Sequence, residues 1–152
     1  MTEELKFLAR FCKHPNKPAS IDEVTELEER LQIQFPADYA SFLAESNGGE
    51  FRGLKMLTPW RPEDELECLY GVGTGVEGGE TLGSEEDLEL LDDNWPILFL
   101  PIGRSLLHDL LLMDFSVESR GSIWIKKAWD SEGFQLTHAS FATFLRDLVE
   151  NA

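Results

Sequence analysis

The residue pair best suited to acid–base chemistry in this chain is His108-Asp109, where a carboxylate directly follows an imidazole. A carboxylate can orient a histidine ring for proton transfer, which is the arrangement that general acid–base catalysts use. Such catalysis also needs an activated reacting group. The chain has no G-x-S-x-G sequence, and neither of its two cysteines stands in a catalytic motif. The pair is therefore predicted to start a strand or to form a turn before one.

Metal chemistry has no support in the sequence. The three histidines, His14, His108 and His138, lie too far apart to form the i, i+3 or i, i+4 pairs that bind zinc on one helix face. The carboxylates lack the D-x-D-x-D-G pattern of a calcium loop. We therefore expect no metal and no cofactor.

The run Gly73-Thr-Gly75-Val-Glu-Gly78 matches the G-x-G-x-x-G spacing of dinucleotide-binding loops. Such a loop needs an apolar helix directly after it, because the pyrophosphate binds at the N-terminus of that helix. Here the chain continues as Gly-Glu-Thr-Leu-Gly, and Glu77 and Glu80 would lie beside the phosphates. The segment is predicted to be a glycine-rich surface loop without a nucleotide.

The overall charge is strongly acidic. Asp and Glu number 29 against 13 Lys and Arg, which gives a formal net charge of -16. A surface of this sign repels phosphate backbones, so direct binding of nucleic acid is disfavoured, and it attracts a basic protein partner. A need for solubility alone would explain the same composition.

No Lys or Arg occurs between Pro62 and Gly103, a span that holds twelve acidic residues. Like charges at this density favour either a solvated surface or a surface that a cationic partner covers. Trp60 precedes the span and is a candidate anchor, because tryptophan is enriched at binding hot spots, although a core position fits it equally. The candidate partner-binding residues are Trp60, Glu63, Asp64, Glu65, Glu67, Glu77, Glu85, Glu86 and Asp87.

The elements that must position these residues begin with helices. Apolar residues at helical spacing predict an extension helix within residues 1–14, which the prolines of KHPNKP end. Ser20 and Glu23 have the spacing of a capping box, which predicts a helix over residues 21–32. The next helix occupies FPADYASFLAESNGG, residues 35–49, with proline in its first turn and a left-handed glycine at its end.

After residue 49 the pattern changes to short apolar segments typical of strands. A second capping-box sequence at Ser84 predicts a short helix that ends near Asp93, and a last helix covers residues 140–150. The fold class predicted is α+β, with N-terminal helices, a mostly antiparallel twisted sheet of about five or six strands, and a C-terminal helix packed on the sheet. The predicted strands are residues 51–57, 67–70, 97–102, 106–115 and 122–128.

The length of 152 residues fits one domain, and we expect residues 1–152 to form it, with the extension helix at 1–14 and a core at 20–150. Cys12 and Cys68 form no CxxC motif, which is typical of reduced thiols in a cytoplasmic protein. The chain has no signal-peptide pattern and no apolar run of the ~20 residues that span a membrane. A cytoplasmic location without membrane contact is therefore expected.

The helix and turn over residues 35–49 resemble the signature of the SUKH superfamily, and weaker similarities continue in order to residue 150. One departure lies at Arg104–Asp109, where many members have a glycine-rich turn; if that turn contacts partners, its surface is changed here. The residues that carry the resemblance are Pro36, Asp38, Tyr39, Phe42, Leu43, Asn47, Gly48, Gly49, Pro101, Gly103, Phe141 and Phe144.

The resemblance implies a single α+β domain without catalytic machinery. Bacterial members look mainly like immunity proteins, which bind and neutralise toxin domains that are often nucleases or deaminases, whereas fungal relatives regulate cell-wall synthesis. The expected function is a non-enzymatic immunity protein whose partner is a toxin domain with a basic surface. The alternative is a regulatory or scaffold module for an endogenous protein, and an enzyme that uses His108 and Asp109 ranks third.

Overall fold

The computed structural model describes residues 2–56, 58–73, 99–116, 120–130 and 133–152. In these ranges the helices are α1 (Glu3–Ala9), α2 (Ile21–Leu31), α3 (Ala37–Glu45) and α4 (Phe141–Glu150). The strands are β1 (Cys12–Pro15), β2 (Gly49–Phe51), β3 (Leu66–Leu69), β4 (Phe99–Ser105), β5 (Leu110–Asp114), β6 (Ile123–Lys126) and β7 (Phe134–His138).

The seven described strands form one sheet in the order of the sequence, and every strand pairs antiparallel with the next. This confirms the α+β class and the closing C-terminal helix, with slightly more strands than the five or six predicted. The prediction overlooked β1 and β7, which are the two edge strands. No helix in the described part of the chain is long and apolar enough to span a membrane.

The capping box predicted at Ser20 is confirmed. Ser20 Oγ accepts a hydrogen bond from the Glu23 N–H at 3.1 Å, and Glu23 Oε1 accepts one from the Ser20 N–H at 3.1 Å. Ser140 caps α4 in the same way, with Thr143 as its reciprocal partner. Because each box satisfies N–H groups that a helix start leaves unpaired, short sequence patterns locate these starts well.

The extension helix predicted within residues 1–14 is wrong in its second half. The helix ends at Ala9, and residues 12–15 form β1, in which Cys12 pairs with Phe51 and Pro15 pairs with Gly49. Pairing with a strand distant in sequence outweighs the local helical spacing here, as tertiary contacts often outweigh propensity.

Several strand boundaries also differ from the prediction. Residues 51–57 form a strand only as far as Phe51, and Lys55 makes a single bridge to Glu65. The strand predicted from Leu106 begins at Leu110, because residues 106–109 form a turn in which the His108 N–H donates to the Ser105 carbonyl. The helix predicted from Ser84 lies outside the described residues.

An aromatic cluster joins α3 to α4 at the centre of the core. The Phe141 ring lies 4.8 Å from the Tyr39 ring and 4.9 Å from the Phe42 ring, measured between centroids, and all three side chains are buried. The Tyr39 hydroxyl has no hydrogen-bond partner within the described part of the chain, and burial raises the pKa of this group. Asp38 fixes the two helices relative to each other, since its Oδ1 accepts from the Tyr39 N–H and its Oδ2 accepts from the Ala142 N–H.

The end of α3 makes a close junction with the sheet. Asn47 has a φ of 61°, its side-chain amide donates to the carbonyls of Lys17 and Val72, and its Oδ1 accepts from the Val72 N–H. A Cβ on Gly48 would lie 2.3 Å from the Leu69 carbonyl oxygen, and one on Gly49 would lie 2.4 Å from the His14 carbonyl oxygen. The two glycines therefore permit a close approach of neighbouring strands, and Asn47 takes the first left-handed position, which the prediction gave to glycine.

We predict that Phe42→Ala lowers the free energy of unfolding by about 3–5 kcal/mol, because it removes a buried ring that contacts both Tyr39 and Phe141. Urea denaturation measures this. The control is Ile21→Ala at a side chain that is 78% exposed, for which the change should stay within about 0.5 kcal/mol. Equal losses for the two variants would contradict the assignment of Phe42 to the core.

A second prediction concerns the junction. Asn47→Ala should destabilise the domain by about 3 kcal/mol or more, because it removes three hydrogen bonds and places alanine in a left-handed conformation. Asn47→Gly loses the same hydrogen bonds but adopts that conformation freely, so it should be milder by about 1 kcal/mol. Identical unfolding midpoints for the two variants would show that the backbone conformation carries no cost.

Candidate functional site

Three of the four acidic candidates that the structure describes bond to other groups of the same chain. Asp64 is only 2% exposed, and its Oδ1 accepts from the N–H groups of Glu65 and Leu107, so its expected place on a docking surface does not fit its burial. Glu65 accepts from the Gly53 N–H at 2.8 Å, and Glu67 forms an ion pair with Arg104 at 2.7 Å. Glu63 is exposed. The remaining candidates, Glu77, Glu85, Glu86 and Asp87, lie outside the described residues.

His108 and Asp109 form part of the turn before a strand, which is one of the two structural roles that the sequence predicted. His108 has a φ of 71° within the turn between β4 and β5. Asp109 is fully buried; its Oδ2 accepts from Trp60 Nε1 at 2.9 Å, and its Oδ1 accepts from the Ala128 N–H at 2.8 Å. Both carboxylate oxygens are occupied, so this carboxylate holds loops together rather than orienting an imidazole.

The described residues contain no group of three or more His, Cys, Asp or Glu side chains that could hold a metal ion. Cys12 and Cys68 are free thiols, and burial raises the pKa of the Cys12 thiol. A thiol with a raised pKa is a poor nucleophile, because the thiolate is the reactive form. Neither observation points to a catalytic centre.

Three loops meet at one end of the sheet. In an antiparallel sheet the C-terminal ends of β4 and β6 lie beside the N-terminal ends of β3, β5 and β7. Residues 58–65, 106–109 and 127–130 therefore share this end, and Asp109 bonds to the first and the third of them. The site is thus assembled from segments that are far apart in sequence.

Three of the five large apolar side chains that are exposed in the described structure lie on these loops. Trp129 is 55% exposed, and Leu106 and Leu107 are each close to half exposed. We call Trp60, Arg61, Leu106, Leu107, Lys127 and Trp129 the loop surface. Clustered rather than scattered apolar exposure is typical of an interaction site.

Two cations hold the aromatic rings of the loop surface in place. The Arg61 guanidinium lies over the Trp129 ring at 4.4 Å, and its Nη1 donates to the Leu107 carbonyl at 3.2 Å. Lys127 Nζ lies 4.5 Å from the centre of the Trp60 ring, whose N–H is bound to Asp109. Preordered aromatic and arginine side chains lose little conformational entropy on binding, which is why they dominate interface hot spots.

Of the loop surface, sequence reasoning identified Trp60 alone as a candidate. It placed Leu106 and Leu107 in a strand, while noting that the turn at residues 104–109 departs from the family pattern. Trp129 was not identified, although a tryptophan in the polar segment AWDSEG is a signal of an exposed position. The contact of Arg61 with both Trp129 and Leu107 could not be foreseen, since it joins three separate loops.

A groove of about 390 Å³ adjoins the loop surface, between β7, α4, Met56 and residues 58–60. His138 lies in it, with Nε2 at 2.9 Å from Asp147 Oδ2 and Nδ1 at 3.0 Å from Thr137 Oγ1. Both ring nitrogens are thus occupied by neighbouring side chains. Apolar walls with a few polar groups suit the binding of a side chain from another molecule.

Comparison with known proteins agrees with this description. The family model described as SMI1 / KNR4 family (SUKH-1) matches residues 18–147. The chain is also similar to the uncharacterized protein YnaB of Bacillus subtilis (strain 168), with 41% identity over 46 residues. That alignment covers 30% of this chain and 32% of YnaB, so the chain matches about a third of the length of this relative.

We predict that Asp109→Asn lowers the free energy of unfolding by about 1–3 kcal/mol, because an amide keeps one acceptor oxygen for two buried donors. Combining it with Trp60→Phe in a double-mutant cycle should give a coupling energy above about 0.5 kcal/mol. Glu63→Gln is the matched change at an exposed carboxylate and should leave stability unaltered. Additive effects of the Asp109 and Trp60 variants would show that their hydrogen bond does not stabilise the site.

Proposed function

The chain belongs to the SMI1/KNR4 family (SUKH-1), and from this premise we propose that it is an immunity protein that binds a toxin domain and neutralises it. The family supports a protein-binding domain of the immunity or regulatory type. Its members are generally not catalytic, and the proposal assigns no chemical step to this chain. A cytoplasmic location belongs to the proposal, because a toxin directed at nucleic acids or nucleotides would meet its inhibitor there.

The observation that carries the proposal is the loop surface. Trp129, Leu106 and Leu107 expose apolar area in one place, and Arg61 fixes their relative positions. A soluble domain gains nothing from such exposure on its own, whereas burial against a partner gives roughly 25 cal/mol per Å² of apolar area. The loop surface is therefore proposed as the centre of the contact with the toxin.

The net charge supports the chemistry proposed for the partner. A formal charge of -16 produces a long-range field that steers a basic protein toward the chain and raises the association rate. Short-range affinity then comes from the desolvated apolar contacts at the loop surface. In this scheme the acidic residues govern the rate of encounter, and the tryptophan and leucine side chains govern the lifetime of the complex.

We predict that the gene for this chain has a toxin-like gene adjacent to it, and that Trp129→Ala and Leu107→Ala each weaken binding to the product of that gene, the first by at least about thirtyfold, which corresponds to about 2 kcal/mol. Surface plasmon resonance with the purified pair measures this, and most of the change should be in the dissociation rate. Ile21→Ala, an exposed apolar change on α2, is the matched control.

Two outcomes would contradict the proposal. If the adjacent gene product forms no complex with the wild-type chain and its toxicity persists when both are expressed together, the immunity function is wrong. If the complex forms but Trp129→Ala and Ile21→Ala bind equally well, the toxin contacts another surface. A complex with a non-toxic endogenous protein would favour the regulatory alternative.

A further prediction separates charge from apolar contact. Raising the salt concentration should slow association strongly and change dissociation little, because screening shortens the range of the field. Replacing Glu85, Glu86 and Asp87 by Gln, Gln and Asn should slow association in low salt without altering the unfolding midpoint. An association rate that is insensitive both to salt and to this triple replacement would refute the steering by acidic residues.

A further inference from the structure

Among the strands that the structure describes, the two edges of the sheet, β1 and β7, are protected very differently. At β1, the edge carries Lys13 and Pro15, and the register shifts between Cys12 and His14. A charge, a proline and an irregular register are the features by which proteins prevent another strand from pairing with an edge. At β7, the sequence Phe-Gln-Leu-Thr-His contains no proline, lysine, arginine or carboxylate, and Leu136 is 50% exposed.

The hydrogen-bond pattern shows which groups of β7 face outward. The Lys127 N–H donates to the Gly133 carbonyl at 2.9 Å, and in an antiparallel ladder such pairs alternate with unbonded pairs. Gln135 opposite Ile125 is then a hydrogen-bonded pair, and Leu136 opposite Trp124 is an unbonded one. The Leu136 N–H and C=O therefore point away from β6, and this carbonyl accepts a long bond of 3.4 Å from the Gln135 side chain.

The groove runs along this same strand. Leu136, Pro59 and Trp60 supply apolar walls, and Asp147 supplies a partly exposed carboxylate. Its Oδ2 lies 2.9 Å from His138 Nε2 and its Oδ1 accepts from Asn151 Nδ2, so an added cation would share these oxygens. Trp60 belongs to both the groove and the loop surface, so the two are continuous. An arginine or lysine side chain of another molecule that entered the groove would therefore contact a carboxylate. The net charge of -16 would favour its approach.

From these features we infer that β7 accepts an extended segment of the partner as an additional strand. The segment pairs with the outward N–H and C=O of Leu136, places an apolar side chain in the groove, and sets an arginine or lysine against Asp147. Main-chain pairing supplies affinity and the groove supplies selectivity, as in other complexes formed by strand addition. This inference rests on the proposed function, because the occupant is a segment of the partner protein.

A second copy of this chain is a poorer occupant of the same edge. Each copy carries a formal charge of -16, so two acidic domains would have to approach closely along their edges. A basic segment reverses the sign of that interaction. The charge thus selects a cationic extended segment over self-association.

The first experiment uses synthetic peptides as probes. Peptides that alternate arginine with valine are compared with the same peptides methylated on alternate backbone nitrogens, and with peptides that alternate glutamate with valine. The arginine–valine peptide should bind, slow amide exchange at Leu136, and give cross-strand contacts to β7 by NMR. No binding, equal binding of the methylated or glutamate peptides, or binding away from β7 would overturn the inference.

The second experiment uses proline at two neighbouring positions. Leu136→Pro removes an outward N–H and should leave the unfolding midpoint nearly unchanged while weakening the arginine–valine peptide about tenfold. Gln135→Pro removes an N–H that bonds to β6 and should lower the unfolding midpoint clearly. Leu136→Thr keeps the backbone donor and should bind the peptide more tightly than Leu136→Pro. Equal peptide binding by the two Leu136 variants would overturn the inference.

The same variants separate this inference from the proposed function. If Trp129→Ala disrupts the complex with the adjacent gene product whereas Leu136→Pro does not, the loop surface binds the toxin and strand addition is refuted. If that gene product does not bind at all, the immunity proposal fails, and the peptide experiments still decide the role of β7. Dimers that form through β7 and that Leu136→Pro abolishes would show that a second copy is the occupant.

Discussion

The sheet depends on the close approach of backbone segments at Asn47, Gly48 and Gly49. Neither glycine has room for a Cβ. A carbonyl oxygen of β3 lies 2.3 Å from the position that a Cβ on Gly48 would take, and a carbonyl oxygen of β1 lies 2.4 Å from the position that a Cβ on Gly49 would take. The Asn47 side chain bonds to the segments at Lys17 and Val72, and its backbone turns the chain out of α3. This junction thus fixes the end of α3, the start of β2 and the two segments at Lys17 and Val72. The order of β1, β2 and β3 follows from it.

At the opposite end of the sheet, two buried carboxylates likewise join segments that are distant in sequence. Asp109 satisfies Trp60 Nε1 and the Ala128 N–H, and Asp64 satisfies N–H groups of Glu65 and Leu107. Carboxylates are costly to bury unless their oxygens accept hydrogen bonds; both oxygens of Asp109 do so, whereas Asp64 accepts through Oδ1 only, and its buried Oδ2 has no partner among the described residues. These bonds offset part of the cost of burial. They also hold Trp60 still, and the exposed apolar side chains of the loop surface are carried by the loops that these carboxylates connect.

The surface chemistry combines a negative field with a local concentration of cations and aromatic rings. The net charge of the chain is strongly negative, yet Arg61 and Lys127 lie against tryptophan rings at the loop surface. Long-range attraction and short-range contact are thus supplied by different residues, which allows the rate of encounter and the lifetime of a complex to vary independently. The unprotected edge at β7 lies next to this surface, so one partner could engage side chains and backbone together.

The sequence by itself determined the α+β class, the capped start of α2, the helices that became α3 and α4, and the family, because caps, helical spacing and turn residues act within a few positions of the chain. Tertiary structure alone decided that residues 12–15 form a strand, that β7 is an edge of the sheet formed by the described strands, and that Asp64 is buried while Trp129 is exposed. These outcomes depend on pairings and loop contacts between segments tens of residues apart. A local sequence pattern does not specify which distant segment will pair with a given backbone N–H or C=O group. Those long-range pairings decide which strands lie at the edges and which loops form the loop surface.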